Sequence, residues 1–355
     1  MLNNEPQKHK VICTYCGDSY VNHTLSQIGS FLAVTFDAHV INITRYAPQF
    51  IRIFVDKIFL VFFEFMVWSG MARLSDDIDK AKTFRSRVVW EEARRRGIEM
   101  RQVFMFGQAL DLYRGIINGQ TVYFDSLPIP TELSVLSQNW DDKILLKDKL
   151  SAKNIPVPKY FSFNIFNLSQ AEKKFAEFQK PVIVKPRVGS RGRHTVTNIQ
   201  TIEQFRKAVT VVRQISMFIS MEEHLDGDVC RATFVAGKLM GFYRGGSPYV
   251  IGDGKKTILE LIKEKDSHRQ DRVEKIDIND EVKDYLSRSG FHLEDILSEG
   301  VRLSLTYRTG RLFGGVTREM LDELHPSFVP ILTEAAKIVG LPVLGFDCIV
   351  KDPTK

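Results

Sequence analysis

A chain of 355 residues with 44% hydrophobic content is long enough for two or three domains with ordinary cores, which argues against a disordered or fibrous protein. Its formal charge of +6 favours anionic partners, but 49 basic residues are spread among 43 acidic ones rather than gathered in a tail, so nucleotides suit the balance as well as nucleic acid does. Four cysteines argue against a disulfide framework and for a reducing, cytoplasmic setting, and the polar opening from Met1 to Lys10 predicts no secretory leader.

Lys10–Thr14 and His39–Ile43 read as short strands around a helix. Cys13-Thr-Tyr-Cys16 has zinc or redox spacing, yet Cys230 and Cys348 are remote in sequence, and without a second pair nearby a metal or redox role is the lesser alternative. Ile51 to Met71 is intensely apolar but interrupted by Asp56, Lys57 and Glu64. A spanning helix needs about twenty nearly uncharged residues. The segment therefore reads first as a buried or interface helix, second as a membrane-surface contact and last as a span. Ser86 to Gly97 predicts a helix ending in Arg94-Arg-Arg96 and a glycine stop, followed by a strand over Ile98–Phe106. Tyr123 to Pro130, with two prolines, reads as a linker that closes the first unit.

In the second unit, Asn139 to Leu150 is amphipathic and Ile155-Pro-Val-Pro158 ends it. Helices are predicted at Ser169–Gln179, Thr201–Ile215, from Thr257, and at Pro326–Val339. Strands are predicted at Met217–Met221 and Leu344–Val350, with a hairpin around Ala236-Gly237. The Lys263–Lys275 charge run reads as solvent-facing, and His224, His292 and His325 as structural.

Pro181 to His194 carries the chemistry. Val182, Ile183 and Val184 suit a buried strand that delivers Lys185, and Pro186 discourages continuation into a helix. Gly189 and Gly192 leave backbone N–H groups free to face an anion, while Ser190, Arg191 and Arg193 add donors. A polyphosphate loop and a basic surface hairpin both fit these residues taken alone.

Lys143, Ile155-Pro-Val-Pro158, Val184-Lys185-Pro186, the glycine loop, Glu222 to Gly227, Gly252-Asp-Gly254, Gly314-Gly315, His325-Pro326 and Gly345-Phe-Asp347 follow one another in an order that resembles the ATP-grasp superfamily from about Asp142 to Val350. Within it, Val250 to Ile262 looks like the branch containing cyanophycin synthetase and the fused glutathione synthetases. The resemblance implies an α/β protein (α+β in its second part). An ATP-grasp domain over 134–355, with a lid at about 150–222, would follow a small α/β pre-ATP-grasp-like domain over 1–133.

ATP and Mg2+ are the implied cofactors. Lys143 would reach the nucleotide phosphates, Lys185 would lie near adenine and the α-phosphate, and Gly189, Ser190, Arg191, Gly192 and Arg193 would form the lid over the β- and γ-phosphates. Glu222, Glu223, Leu225 and Asp228 would hold adenine and ribose, and Asp347 would bind magnesium. Arg231 is a candidate catalytic cation of the amine and carboxylate pockets. Arg308 would replace the arginine that the family carries before its double glycine, where this sequence reads Leu305-Thr306.

The implied activity joins a carboxylate and an amine, on an amino acid or peptide, through an acylphosphate, with no nucleic acid involved; a homo-oligomer is open. The Glu-x-Asn strand that follows the first magnesium carboxylate in the family does not occur within the eight residues after Asp347. The alternative reading is therefore an ATP-binding module that is non-catalytic or completed by a partner.

Overall fold

The structure, a computed structural model, describes residues 13–16, 21–45, 49–105, 108–125, 127, 142–189, 192–271 and 273–355. By its contacts the chain divides into Asp37–Asn139 and a larger unit formed by Met1–Phe36 with Trp140–Lys355. The described residues before Asp37 thus group by contacts with Trp140–Lys355. Specific contacts account for this: Ser30 and Ser216 hydroxyls share a hydrogen bond of 2.7 Å, Phe31 stacks on Phe218, and Tyr15 packs on the core beneath the glycine loop.

Helix α1 spans His23–Arg45 and absorbs the strand expected at His39–Ile43. The β-branched run there is overridden by helical continuity, as strand propensity is a weak, context-dependent preference. Of the strand expected at Lys10–Thr14, Thr14 lies in a short 3-10 turn, Thr14–Cys16, and residues up to 12 lie outside the described residues.

In the smaller unit, helix α2 (Gln49–Trp68) precedes strand β1 (Ala72–Ser75), helix α3 (Phe84–Arg95) and strands β2 (Glu99–Met105), β3 (Gln108–Ile117) and β4 (Gln120–Asp125). The strands form one antiparallel sheet in sequential order. Asn118-Gly119 makes its tight hairpin turn, with φ of 50° and 76°, the left-handed pair that matches the twist of the flanking strands. Tyr123–Asp125, expected in a linker, is therefore strand, while 126 and 128–130 lie outside the described residues.

Met66 and Val67 of α2 pack on this sheet, and Glu64 turns the same way because Arg114 Nε and Tyr123 Oη donate to its Oε1 at 2.9 and 3.0 Å. Phe54, Ile58, Val61, Phe62, Phe65 and Trp68 stay exposed, so the segment is only half covered. Among the described residues, no helix is long and apolar enough to cross a membrane.

The larger unit continues with α4 (Lys143–Ser151), β5 (Tyr160–Asn164), α5 (Leu168–Glu177), β6 (Val182–Pro186), β7 (Val196–Ile199), α6 (Ile202–Val212) and β8 (Phe218–Glu223). An antiparallel sheet ordered β5-β8-β6-β7 buries Val182, Val184, Ile219 and Met221 against Phe175 of α5 and Phe205 of α6. Residues 224–227 lead directly into a second sheet.

That sheet is built from β9 (Asp228–Val235) and β10 (Lys238–Gly245), which are followed by β11 (Tyr249–Ile251), α7 (Ile258–Ser267), α8 (Asp280–Arg288), β12 (Arg302–Ser304), β13 (Thr317–Glu319), α9 (Phe328–Val339) and β14 (Val343–Val350). Its order is β13-β10-β9-β14, and it covers α9 with Cys230, Ala232, Phe234 and Phe242. The β11-β12 ribbon with α7 and α8 has its own core around Ile258, Ile262 and Leu286. Of the charge run from Lys263 to Lys275, the described charged residues are exposed except Lys265 and Asp266, which are half-buried, while the buried residue is the apolar Val273. The molecule is a mixed α/β protein with largely antiparallel sheets.

Candidate functional site

Because side chains alternate along a strand, the face of the first sheet opposite its core carries Ser220 and Glu222 of β8 and Lys185 of β6. Glu222 is only 2% exposed and is satisfied three times. Lys147 Nζ donates to Oε1 at 2.5 Å, Lys185 Nζ lies 2.8 Å from Oε2, and the Ser220 hydroxyl donates to Oε1 at 2.8 Å. Burial opposes ionisation of Glu222, but the ammonium groups of Lys185 and Lys147 outweigh it and hold the carboxyl at about 2. Burial lowers Lys147 from the usual lysine value. Two cations on one carboxylate leave a local excess of positive charge beside the glycine loop.

Helix α4 sets this arrangement. Asp142 caps it by accepting from Ile144 N and Leu145 N at 2.9 and 3.2 Å, and its other contacts come from Arg187, with Nη2 2.7 Å from Oδ2. Lys143 N donates to Arg187 O at 3.2 Å, and Lys143 Nζ donates to Gly189 O at 2.6 Å. The start of α4 is thereby tied to the strand end and to the loop. Gly189 and Gly192 have φ of 137° and 62°, angles that favour glycine. Ser190 and Arg191 lie outside the described residues. Arg193 Nε donates to Cys16 O at 3.1 Å.

Lys143, Lys185 and Glu222 come together in this one region. Glu223 has its side chain committed elsewhere, with Oε1 accepting from Lys159 N at 2.8 Å, and Leu225 is exposed in the link to β9. Sequence reasoning missed Lys147. It falls three residues after Ile144 and three before Leu150, so it occupies the buried stripe of α4, and a lysine on an apolar stripe signals a buried partner.

On the second sheet the register aligns Asp347, Arg231, Tyr243 and Glu319 across four strands. Arg231 Nη1 donates to Asp347 Oδ1 at 2.7 Å. The guanidinium lies over Gly345, where an added Cβ would stand 2.7 Å from Nη2. Glu319 is less available, since its Oε1 accepts from Leu321 N at 2.9 Å. Asp228 is three positions from Arg231 and so faces the other side of β9, where Arg244 Nε donates to it at 2.6 Å. Arg308 is buried, and its fork is engaged by Glu281 of α8, Nε to Oε1 at 2.8 Å and Nη2 to Oε2 at 2.9 Å.

Over 218 residues the chain is 29% identical to the cyanophycin synthetase of Trichormus variabilis, a stretch that is 59% of this chain and 24% of that protein. It is 24% identical over 270 residues to the glutathione biosynthesis bifunctional protein GshAB of Clostridium perfringens, covering 73% of this chain and 34% of the relative. The chain resembles the ATP-grasp ligases of this branch. No protein-family model matches it. A solved structure, the bifunctional glutathione synthetase from Pasteurella multocida, has 19% identity and a TM-score of 0.45, covering 76% of this chain and 37% of that one. The chain spans about a quarter of the length of the cyanophycin synthetases that it matches. Both motif groups of the ATP-grasp resemblance, the lysine–glutamate cluster and the Arg231–Asp347 pair, lie within the larger unit.

Proposed function

We propose that the chain binds ATP and magnesium and joins a carboxylate to an amine, on an amino acid or peptide, through an acylphosphate. The observation that carries this reading is the buried Glu222 carboxylate shared by Lys147 and Lys185, adjoining a glycine loop that Lys143 anchors. Such a cluster presents preorganised cations to a polyphosphate, and phosphoryl transfer depends on positioned charge more than on a protein nucleophile.

Asp347 supports a magnesium role because it offers a hard oxygen donor on an exposed strand face, and Mg2+ is commonly held by one or two carboxylates together with substrate phosphates and water. The ion would neutralise charge on the phosphates. Arg231, which shares that carboxylate, is suited to orient the acceptor carboxylate and to hold the oxyanion as the amine displaces phosphate.

The test is magnesium-dependent ADP release across a panel of amino acids and short peptides. Release that requires a carboxylate and an amine together is the expected result. ATP binding by calorimetry with no stimulation across the panel would overturn the ligase reading and leave a nucleotide-binding module; no ATP binding at all would overturn both. The cytoplasm is the proposed setting.

A further inference from the structure

Among the described residues, one group of metal-ligating side chains stands out, and it is distinct from Asp347. Cys13 and Cys16, His23 at the first turn of α1, and His194 just after the glycine loop bring four ligand atoms within 4.8 Å of one another. Cys16 Sγ is 3.2 Å from His23 Nε2 and 3.2 Å from His194 Nε2, and Cys13 Sγ is 3.7 Å from His194 Nε2. A tetrahedral ion with bonds of about 2.3 Å to sulfur and 2.0–2.1 Å to nitrogen separates its ligand atoms by roughly 3.3–3.8 Å. The side chains are thus at ligand spacing with only small adjustment.

Three further features fit a coordination site. The 3-10 turn Thr14–Cys16, closed by Cys16 N donating to Cys13 O at 3.0 Å, is the local geometry that aims two cysteines three positions apart at one point. His194 Nδ1 is 2.7 Å from the carbonyl of Val211, so the proton resides on Nδ1 and the Nε2 lone pair faces the cysteines. A backbone carbonyl that fixes the tautomer in this way is the usual outer partner of a metal-bound histidine. Lastly, His194 N donates to Tyr15 O at 3.0 Å, which locks the histidine to the cysteine turn through the backbone as well. The cysteine pair looked isolated in sequence because its complement is two histidines, one of them 178 residues beyond Cys16.

We propose that Cys13, Cys16, His23 and His194 bind one Zn2+ in a closed, structural site that clasps the amino-terminal segment to the end of the glycine loop. Two thiolates and two imidazoles in tetrahedral spacing select zinc over harder cations, and four protein ligands leave no position for substrate. Binding displaces one proton from each thiol, so affinity falls as pH is lowered. Chelation is expected to loosen the backbone around 192–196 and lower thermal stability, whether or not ATP binds.

The test uses the full chain, expressed with zinc supplementation and purified under reducing conditions without chelator. Elemental analysis is expected to find about one zinc per chain. Replacement by Co2+ is expected to give the intense visible bands of tetrahedral cobalt with thiolate charge transfer. Cys13→Ser and His23→Gln, both at partly buried positions, are expected to stay folded by circular dichroism and to weaken zinc binding at least about tenfold. Protein that carries no zinc and gives no tetrahedral cobalt spectrum would overturn the proposal, as would binding that both variants leave unchanged. Should the variants fail to fold, the cobalt spectrum of the unaltered chain decides the matter. None of these readings depends on ligase activity.

Discussion

Lys147 reaches across from helix α4 to place its ammonium 2.5 Å from Glu222 Oε1, at a position where neither side chain is appreciably exposed. Such a pair is costly to break one-sidedly, because the remaining charge is buried without compensation. Glu222→Gln leaves Lys147 and Lys185 facing each other and is expected to cost about 3 kcal/mol in urea unfolding at neutral pH. Lys147→Met is expected to cost less, since Glu222 retains Lys185. Equal, near-zero effects for both would show that the pair does not organise the fold.

The same carboxylate sets an acid limb. Its folded value of about 2 lies below the ordinary 4.5, so its contribution is fully present above pH 4.5, declines as pH falls below that value, and is gone below about pH 2. Urea midpoints measured from pH 6 downwards are expected to fall through this window, and Glu222→Gln is expected to flatten the fall. An acid limb unchanged in that variant would assign it to other carboxylates.

What the sequence made legible follows from locality. Strand β6 with Lys185, the Ala236-Gly237 hairpin and strand β14 with Asp347 each declare themselves through a short apolar run or turn residues within a short window. Asn118-Gly119 gave an equally local signal that went unread, as did the capping boxes Thr201/Gln204 and Thr257/Glu260. The partners of Glu222 and of Cys16 were hidden for a different reason. Lys147 lies 75 residues from Glu222 and His194 lies 178 from Cys16, and no window of sequence reports which distant side chains a fold brings together. The exposed apolar stripe of α2 was likewise invisible, since composition alone does not say which face a sheet will cover.

Arg231 and Asp347 form an exposed pair, and exposed pairs contribute little to stability. Asp347→Asn is expected to change the unfolding free energy by less than about 1 kcal/mol. ADP release, if it depends on magnesium held at this carboxylate, is expected to fall at least a hundredfold, roughly the 2.7 kcal/mol typical of losing one electrostatic contact to the reacting groups. Higher magnesium is expected to restore part of it. A variant as active as the parent would remove Asp347 from the site.

Arg308 and Glu281 offer the opposite case, a fork-to-fork pair with both side chains buried. Arg308→Ala strands the Glu281 carboxylate and is expected to cost about 3–5 kcal/mol. Arg308→Lys is expected to rescue little, because a single ammonium does not reproduce two parallel N–H donors. The double variant Arg308→Met with Glu281→Leu removes both charges and is expected to recover most of the lost stability, since an apolar pair of similar volume replaces a buried ion pair at small net cost. ADP release is expected to recover with it to within about tenfold, or 1.4 kcal/mol, because Glu281 already occupies the guanidinium. A double variant that is stable but inactive would instead make Arg308 a group that acts on the reacting atoms.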